Sequence, residues 1–120
     1  MLDKNKVAIL GMGNGGHAMA VDLKSRGFTV NLFEHPEYAY ERRKVFETKI
    51  IESVVEIPGI FKMDTVTTDM AEAIDGAGYI LIVAPANAHE SYAKKLKGII
   101  KKEQTILLFT GGFSSLSFKK

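Results

Sequence analysis

Three glycines near the start of the chain have the spacing of a phosphate-binding loop. Gly11, Gly13 and Gly16 form the pattern G-x-G-x-x-G directly after an apolar run at residues 7–10. The first glycine of such a loop permits a tight turn, the second lets a pyrophosphate approach the backbone, and the third lets a helix pack closely. The free amides of the first helical turn and the helix dipole then favour an anion. A glycine-rich turn without a ligand is the alternative interpretation.

An acidic residue follows the next β-prone run. Glu34 comes directly after residues 29–33 and lies 18 positions after Gly16. In dinucleotide-binding units a carboxylate near this spacing accepts the hydroxyls of the adenosine ribose, and it would repel a 2′-phosphate. The spacing therefore predicts NAD as the cofactor, with NADP less favoured, while a surface glutamate is the alternative. Arg42 and Arg43 could lie near the adenosine end or form a solvated helix face.

Other residues are expected beside these at the carboxyl edge of a parallel sheet. Residues 84–87 and 110–112 follow two later strands and are small, glycine-rich or polar, as a ligand-facing rim would be. His89 could donate to a phosphate or a substrate carboxylate, although a capping or surface role is the favoured interpretation. His17 follows the glycine loop, and we expect only a steric role for it.

The elements that must hold these residues alternate between strand and helix. Strands are predicted at residues 6–10, 29–33, 65–68, 79–84 and 104–109, the fourth being central, and helices at 14–26, 37–49, 70–75 and 88–99. Thr68 or Asp69 would cap the third helix, and Gly76 and Gly78 would end it. Two β-prone runs around Pro58 indicate a hairpin. The order predicts an α/β, Rossmann-type, doubly wound and mainly parallel sheet with a small β-hairpin insertion.

Composition narrows the class of protein. The 120 residues suffice for one domain, and 46% hydrophobic with 25% charged residues is typical of globular proteins. A net charge of +2 does not indicate nucleic-acid binding, and the lack of cysteine excludes disulfides and thiolate zinc sites. We expect no metal site. Apolar runs are too short for a signal peptide or a membrane span, so we expect a cytoplasmic protein without a membrane partner.

Three stretches resemble the opine dehydrogenase family, the octopine and nopaline dehydrogenase group. They are residues 7–20, 64–73 and 83–89. The resemblance implies an oxidoreductase that couples an amino acid to a 2-oxo acid and reduces the imine with NAD(P)H. Glycerol-3-phosphate and ketopantoate reductases are similar, but less closely. The cofactor contacts that it implies are Gly11, Gly13, Asn14, Gly15, Gly16, Glu34, Ala84, Pro85 and Ala86.

The resemblance also limits what we expect of the chain. The resemblance covers only the N-terminal cofactor domain of that family, here residues 1–120. It does not extend to the helical C-terminal domain, which carries the catalytic histidine in that family. We therefore assign no catalytic residue and expect the isolated chain to be inactive. A stand-alone NAD-sensing regulatory module and a dimerisation scaffold are the alternatives.

The C-terminal segment carries a prediction of its own. Phe113, Leu116 and Phe118 would form an apolar surface through which the chain forms a homodimer. A frayed tail is the alternative.

Overall fold

Five parallel strands form one sheet, and two further strands form a separate hairpin. The computed structural model describes residues 3–11, 13–40, 43–53, 59–84 and 86–109. The strands are β1 (Asp3–Leu10), β2 (Thr29–Phe33), β3 (Ile50–Ser53), β4 (Gly59–Lys62), β5 (Thr65–Thr67), β6 (Ala77–Val83) and β7 (Thr105–Phe109). The helices are α1 (Asn14–Ser25), α2 (Pro36–Ala39), α3 (Arg43–Thr48), α4 (Met70–Ile74) and α5 (Ala86–Lys97).

The order of the strands confirms the predicted Rossmann-type topology. The sheet runs β5-β2-β1-β6-β7, every neighbouring pair is parallel, and β3 pairs with β4 in antiparallel fashion. The hairpin precedes β5, as predicted for the insertion. The predicted central position of β6 holds only in part, since β6 is an interior strand and β1 is the middle one.

Both faces of the sheet are covered, which explains the unbroken apolar runs of β1 and β6. On one face, α1 packs on alternate residues of the central strands together with side chains of the hairpin; this core includes Val7, Ile9, Met19, Ala20, Val30, Leu32, Ile51 and Met63. On the other face lie α4 and α5; their core includes Ala8, Leu10, Phe33, Ala73, Ile74, Ile80, Ile82, Tyr92 and Leu96. The sheet therefore holds its carboxyl edge between two layers of helices.

The C-terminal end of α1 is fixed to the loop before β5. Lys24 Nζ donates to Asp64 Oδ2 at 2.9 Å, and the Val30 amide donates to the same oxygen at 2.8 Å. Burial raises the pKa of the Asp64 carboxyl, but the bonds from Lys24 and Val30 and the charges of Lys24 and Lys6 outweigh it, so the pKa is lowered from 3.8. Gly27, with φ +94°, terminates this end as predicted.

The single helix predicted at residues 37–49 is wrong. The structure has two short helices there, α2 and α3, and residues 41 and 42 between them lie outside the described ranges. No side chain of α3 is fully buried, so little tertiary packing supports a longer helix. Lys49, with φ +62°, ends α3 directly before β3.

Other element boundaries differ by a few residues. Gly76, with φ +76°, follows α4 as predicted, whereas Gly78 lies inside β6. The helix predicted to start at residue 88 begins at Ala86. Within the described ranges, no helix has the length and apolar character needed to cross a membrane. Residues 110–120, which include the predicted dimerisation segment, lie outside the described part.

Candidate functional site

Three of the residues singled out from sequence meet at the carboxyl edge of the sheet. Gly11, Glu34 and Ala84 directly follow β1, β2 and β6. Leu10, the last residue of β1, pairs with Phe33, the last residue of β2, and with Ile82, so β6 extends one residue further than β1. The chain leaves β1 towards β2 but leaves β6 towards β7. The two loops therefore diverge, which creates the crevice where ligands bind in open α/β sheets.

The packing of the chain itself requires glycine at two positions of the loop and disfavours a side chain at a third. Gly11 has φ +116°, and a Cβ there would collide with Val83 O. A Cβ on Gly16 would overlap Gly11 O, so this glycine allows α1 to approach the turn. A Cβ on Gly15 would lie 3.0 Å from Val83 Cγ1, which is a tight contact. The predicted roles of Gly11 in the turn and of Gly16 in helix packing match this geometry.

Gly13 differs, because nothing inside the described structure requires it to be glycine. Its φ of −74° and ψ of −167° suit any residue, and no described atom lies within 4 Å of the position of a Cβ. Gly98 is similarly open, so openness alone does not define a site. At Gly13, however, the open space lies at the start of α1, and no side chain of the described residues caps that helix.

Glu34 is buried rather than a surface residue. Its exposed fraction is 4%, its Oε1 accepts the His35 amide at 2.9 Å, and its own amide donates to Thr67 O at 3.2 Å. These contacts hold the residue between the ends of β2 and β5. A carboxylate fixed at this edge is suited to accept hydroxyl groups from a ligand in the crevice.

Arg43, the first residue of α3, contacts Tyr40. The Arg43 guanidinium lies 4.3 Å from the centre of the Tyr40 ring, and it donates to Tyr40 O at 3.1 Å. Both residues are exposed. The geometry agrees with the solvated-face interpretation for Arg43, while Arg42 lies outside the described residues.

Two histidines contact backbone carbonyls at the ends of β1 and β6. His17 Nδ1 lies 3.0 Å from Gly13 O, and His89 Nε2 lies 2.8 Å from Ala84 O. Sequence reasoning missed the contact of His17, although the spacing of four residues between Gly13 and His17 in a helix was a usable signal. The bond of His89 to the strand end fits the favoured capping role better than a free donor.

The remaining predicted contacts are placed only in part. Asn14 opens α1 through its backbone, and Ala86 opens α5, but their side chains lie outside the description. Pro85 lies wholly outside it. Ala84 is half-buried beside the glycine loop. For those residues of the predicted rim that the structure describes, the backbone therefore lies at the crevice.

A buried polar residue beneath the site was also missed. Asn31 in β2 is 1% exposed, and its Nδ2 donates to Ala73 O at 2.9 Å. Its Oδ1 has no partner among the described residues. A single amide inside the apolar run at residues 29–33 was the available signal. The bond fixes α4 to β2, the strand that Glu34 directly follows.

A cavity of about 320 Å³ lies at the opposite edge of the sheet, where α4 and α5 end. Gln104 Nε2 donates there to Ile74 O at 2.7 Å and to Ala77 O at 2.9 Å. Its Oε1 accepts the Lys101 amide at 2.8 Å. Since the amide group is fully used in holding the chain together, we regard this cavity as structural.

The fold and the glycine loop together define a class of protein. Dinucleotide-binding domains have a parallel sheet whose middle strand leads through G-x-G-x-x-G into a helix, with an acidic residue after the next strand. This chain has that architecture, and no described side chain caps the helix. Residues 6–120 match the model of the NAD-dependent glycerol-3-phosphate dehydrogenase N-terminus. The chain belongs to this family and is an NAD-binding domain of the dehydrogenase type.

Two curated relatives show similar identity but different activities. A glycerol-3-phosphate dehydrogenase [NAD(P)+] of Moorella thermoacetica is 35% identical over 98% of this chain and 34% of its own length. An opine dehydrogenase of Arthrobacter sp. is 34% identical over 100% of this chain and 33% of its own. The chain thus spans about a third of the curated relatives that it matches, and similarity does not separate the two groups.

Solved structures support the fold. A glycerol-3-phosphate dehydrogenase from Coxiella burnetii aligns with a TM-score of 0.71 at 25% identity, covering 91% of this chain and 33% of that one. A ketopantoate reductase from Ralstonia eutropha aligns with a TM-score of 0.73 at 23% identity, covering 92% of this chain and 38% of that one. At this identity, the similarity to the ketopantoate reductase concerns the fold alone.

Proposed function

We propose that the chain binds NAD(H) at the carboxyl edge of its sheet, as the cofactor domain of an opine dehydrogenase-like oxidoreductase. The observation that carries the binding site is Gly13. Its conformation and surroundings would accept a side chain, yet the residue is glycine at the start of an uncapped helix. Space for a pyrophosphate beside free amide groups accounts for this choice.

Residues of the proposed site can be matched to successive parts of the cofactor. The amides at the start of α1, from Asn14 to Gly16, would bind the pyrophosphate, and the buried carboxylate of Glu34 would accept the ribose hydroxyls. Gly11 shapes the turn. In this proposal Ala84, Pro85 and Ala86 form the opposite wall of the crevice, beyond the end of β6.

The opine group is proposed on the resemblance of residues 11–17 and 83–89 and on the 34% identity to the Arthrobacter enzyme. A glycerol-3-phosphate dehydrogenase is the second candidate, supported by the family model and by the Moorella relative. The two candidates share the cofactor site described above. They differ in the substrate that the complete enzyme would reduce.

The catalytic groups are proposed to lie in the part of the relatives that this chain does not cover. The 120-residue chain should therefore not oxidise NADH with amino acid and 2-oxo acid pairs or with dihydroxyacetone phosphate, because in this proposal the acid that must be positioned for the reaction lies outside it. Absorbance at 340 nm measures this directly. Turnover with either substrate class would contradict the proposal that the catalytic groups lie outside this chain. It would also show whether the activity is that of an opine dehydrogenase or of a glycerol-3-phosphate dehydrogenase.

The first test of the site removes the space beside Gly13. Gly13→Val should weaken NADH binding by more than about 100-fold, since two or more charge-assisted hydrogen bonds are lost. The free energy of unfolding should change by about 1 kcal/mol or less, because no described atom lies within 4 Å of the position of the new Cβ. Fluorescence titration with NADH and thermal unfolding measure the two quantities.

Gly98→Val is the matched control for this test. Gly98 is equally open but lies after α5, away from the carboxyl edge. It should leave NADH affinity unchanged. A folded Gly13→Val protein that binds NADH as the wild type does would refute the placement of the pyrophosphate.

The second test concerns the choice between NAD and NADP. The wild type should bind NADH at least about tenfold more tightly than NADPH, because the carboxylate of Glu34 repels a 2′-phosphate. Glu34→Gln should narrow this difference while removing only the charge. Parallel titrations with both cofactors measure the ratio, and equal affinities in the wild type would contradict the role of Glu34.

A further inference from the structure

His17 contacts the one glycine of the loop that the packing of the chain does not explain. It lies half-buried in α1, four residues after Gly13. Its ring Nδ1 is 3.0 Å from Gly13 O, and its backbone amide donates to the same oxygen at 2.9 Å. One carbonyl therefore receives two contacts from a single residue.

The contact fixes which ring nitrogen carries the proton. A carbonyl oxygen only accepts, so a hydrogen bond here requires a proton on Nδ1. In the neutral imidazole, Nε2 is then the nitrogen without a proton. A hydrogen bond between these two atoms therefore requires the Nδ1–H form of His17.

The same bond determines where an amide of the loop points. Gly13 O and the Asn14 amide belong to one planar trans peptide and point in opposite directions. Gly13 has no Cβ to restrict this plane, and no side chain of the described residues caps the helix. Two hydrogen bonds to Gly13 O hold the plane with its oxygen towards α1, so the Asn14 amide points out of the helix.

We propose that His17 is a positioning residue for the anion site, acting through the Gly13–Asn14 peptide. The Nδ1–H bond orients the Asn14 amide before a ligand arrives, which lowers the cost of ordering the loop on binding. This inference rests on the proposed function, because the anion that it serves is the pyrophosphate of the dinucleotide. It replaces the purely steric role expected from the sequence.

Substitution of His17 by Asn or by Gln distinguishes the positioning role from an effect of side-chain size or polarity. The nitrogen of Asn can occupy the place of Nδ1, and that of Gln the place of Nε2. His17→Asn should keep NADH affinity within about threefold of the wild type, since it restores a donor to the carbonyl four residues earlier. His17→Gln and His17→Phe should weaken binding about five- to tenfold, the usual effect of one lost hydrogen bond.

Adenosine provides the readout that a merely structural role would not reproduce. It lacks the pyrophosphate, so its affinity, measured by calorimetry, should be the same in all three variants and the wild type. Equal NADH affinities of the Asn and Gln variants, or parallel losses of NADH and adenosine binding, would overturn the positioning role. If the wild type itself fails to bind NADH, the proposed function fails instead.

A measurement on the unaltered protein decides the matter even where a variant does not fold. Long-range ¹H–¹⁵N correlation spectra distinguish the two neutral forms of a histidine ring. We expect the Nδ1–H form for His17. Observation of the Nε2–H form would overturn the proposal, because the bond to Gly13 O could not then exist.

Discussion

Two helices begin at the same edge of the sheet, and their first amides are satisfied in different ways. At α4, Asp69 Oδ1 accepts the amides of Ala71 at 3.0 Å and Glu72 at 3.4 Å. At α1 the corresponding position is Gly13, which has no side chain to offer. The comparison shows that α4 uses its first donors internally, whereas no described side chain accepts from the first amides of α1, as the proposed anion site requires.

The turns that lead into the two helices differ in the same sense. Before α4, the Asp69 amide donates to Thr67 Oγ1 at 2.9 Å, and this hydroxyl donates to Glu72 Oε1 at 2.7 Å. Before α1, backbone contacts dominate: the Gly11 amide donates to Phe33 O at 2.8 Å, and Gly16 packs on the carbonyl of Gly11. Side chains close the turn before α4. The turn before α1 is formed by backbone contacts and by glycines, which have no side chain.

The largest effect should come from making α1 resemble α4. Gly13→Asp supplies a side-chain cap and a negative charge where the pyrophosphate would bind. NADH affinity should fall by more than about 100-fold, because the donors are occupied and the anion is repelled. The free energy of unfolding should stay the same or rise by a few tenths of a kcal/mol, since Asp caps slightly better than Gly.

Gly13→Asn separates the cap from the charge. It caps the helix equally well but without repelling the cofactor, so its loss of affinity, measured by the same titration, should be smaller than that of Gly13→Asp. A Gly13→Asp protein with undiminished NADH binding would show that the start of α1 is not the anion site.

A smaller effect is expected from removing the cap of α4. Asp69→Ala leaves the amides of Ala71 and Glu72 without their acceptor, and it should destabilise the protein by about 1 kcal/mol. Chemical denaturation measures this change. NADH affinity should remain within about twofold, since α4 is not proposed to bind the anion; a large loss of affinity would remove the contrast between the two helices.

The smallest effect is expected at the C-terminal end of α1, which Asp64 fixes. At the N-terminal end of the same helix, no described side chain caps the first amides. The folded pKa of Asp64 is lowered, so its contribution to stability is present above 3.8 and is lost as the pH falls through the folded pKa. Its side chain is 40% exposed, and water screens the Lys24 pair, so we expect about 0.5 kcal/mol or less.

Asp64→Asn is the comparison for this pH dependence. The difference in stability between the wild type and the variant, measured by urea unfolding, should shrink as the pH falls below about 5 and through the lowered pKa of Asp64. A difference that grows as the pH falls would contradict the lowered pKa.

The sequence was sufficient for the fold because local signals and topology agreed. The apolar runs, the glycine spacing and Asp69 before the third predicted helix each indicated elements that the structure contains. The two β-prone runs around Pro58 also predicted the hairpin before β5. Boundaries failed where packing decides, as at α3, whose exposed position does not support the longer helix that its composition favours.

The site was harder to predict in detail, because its contacts are made by backbone atoms. A glycine pattern does not say which glycine faces a ligand and which faces Val83. Likewise, the sequence shows a histidine at position 17 but not the direction of the Gly13 carbonyl that it meets. Such roles depend on peptide orientation, which residue types alone do not encode.

The pairing of β1 with β6 has a consequence for the order in which the protein folds. Ala8 pairs with Ile80, 72 positions later, and Gly11 meets the backbone of Val83. The glycine loop and Glu34 thus leave the ribosome well before the strand that completes their crevice. The crevice is therefore complete only when β6 has paired with β1, so the proposed dinucleotide site depends on this long-range pairing. Bound dinucleotide would then slow the opening of the sheet rather than speed its formation.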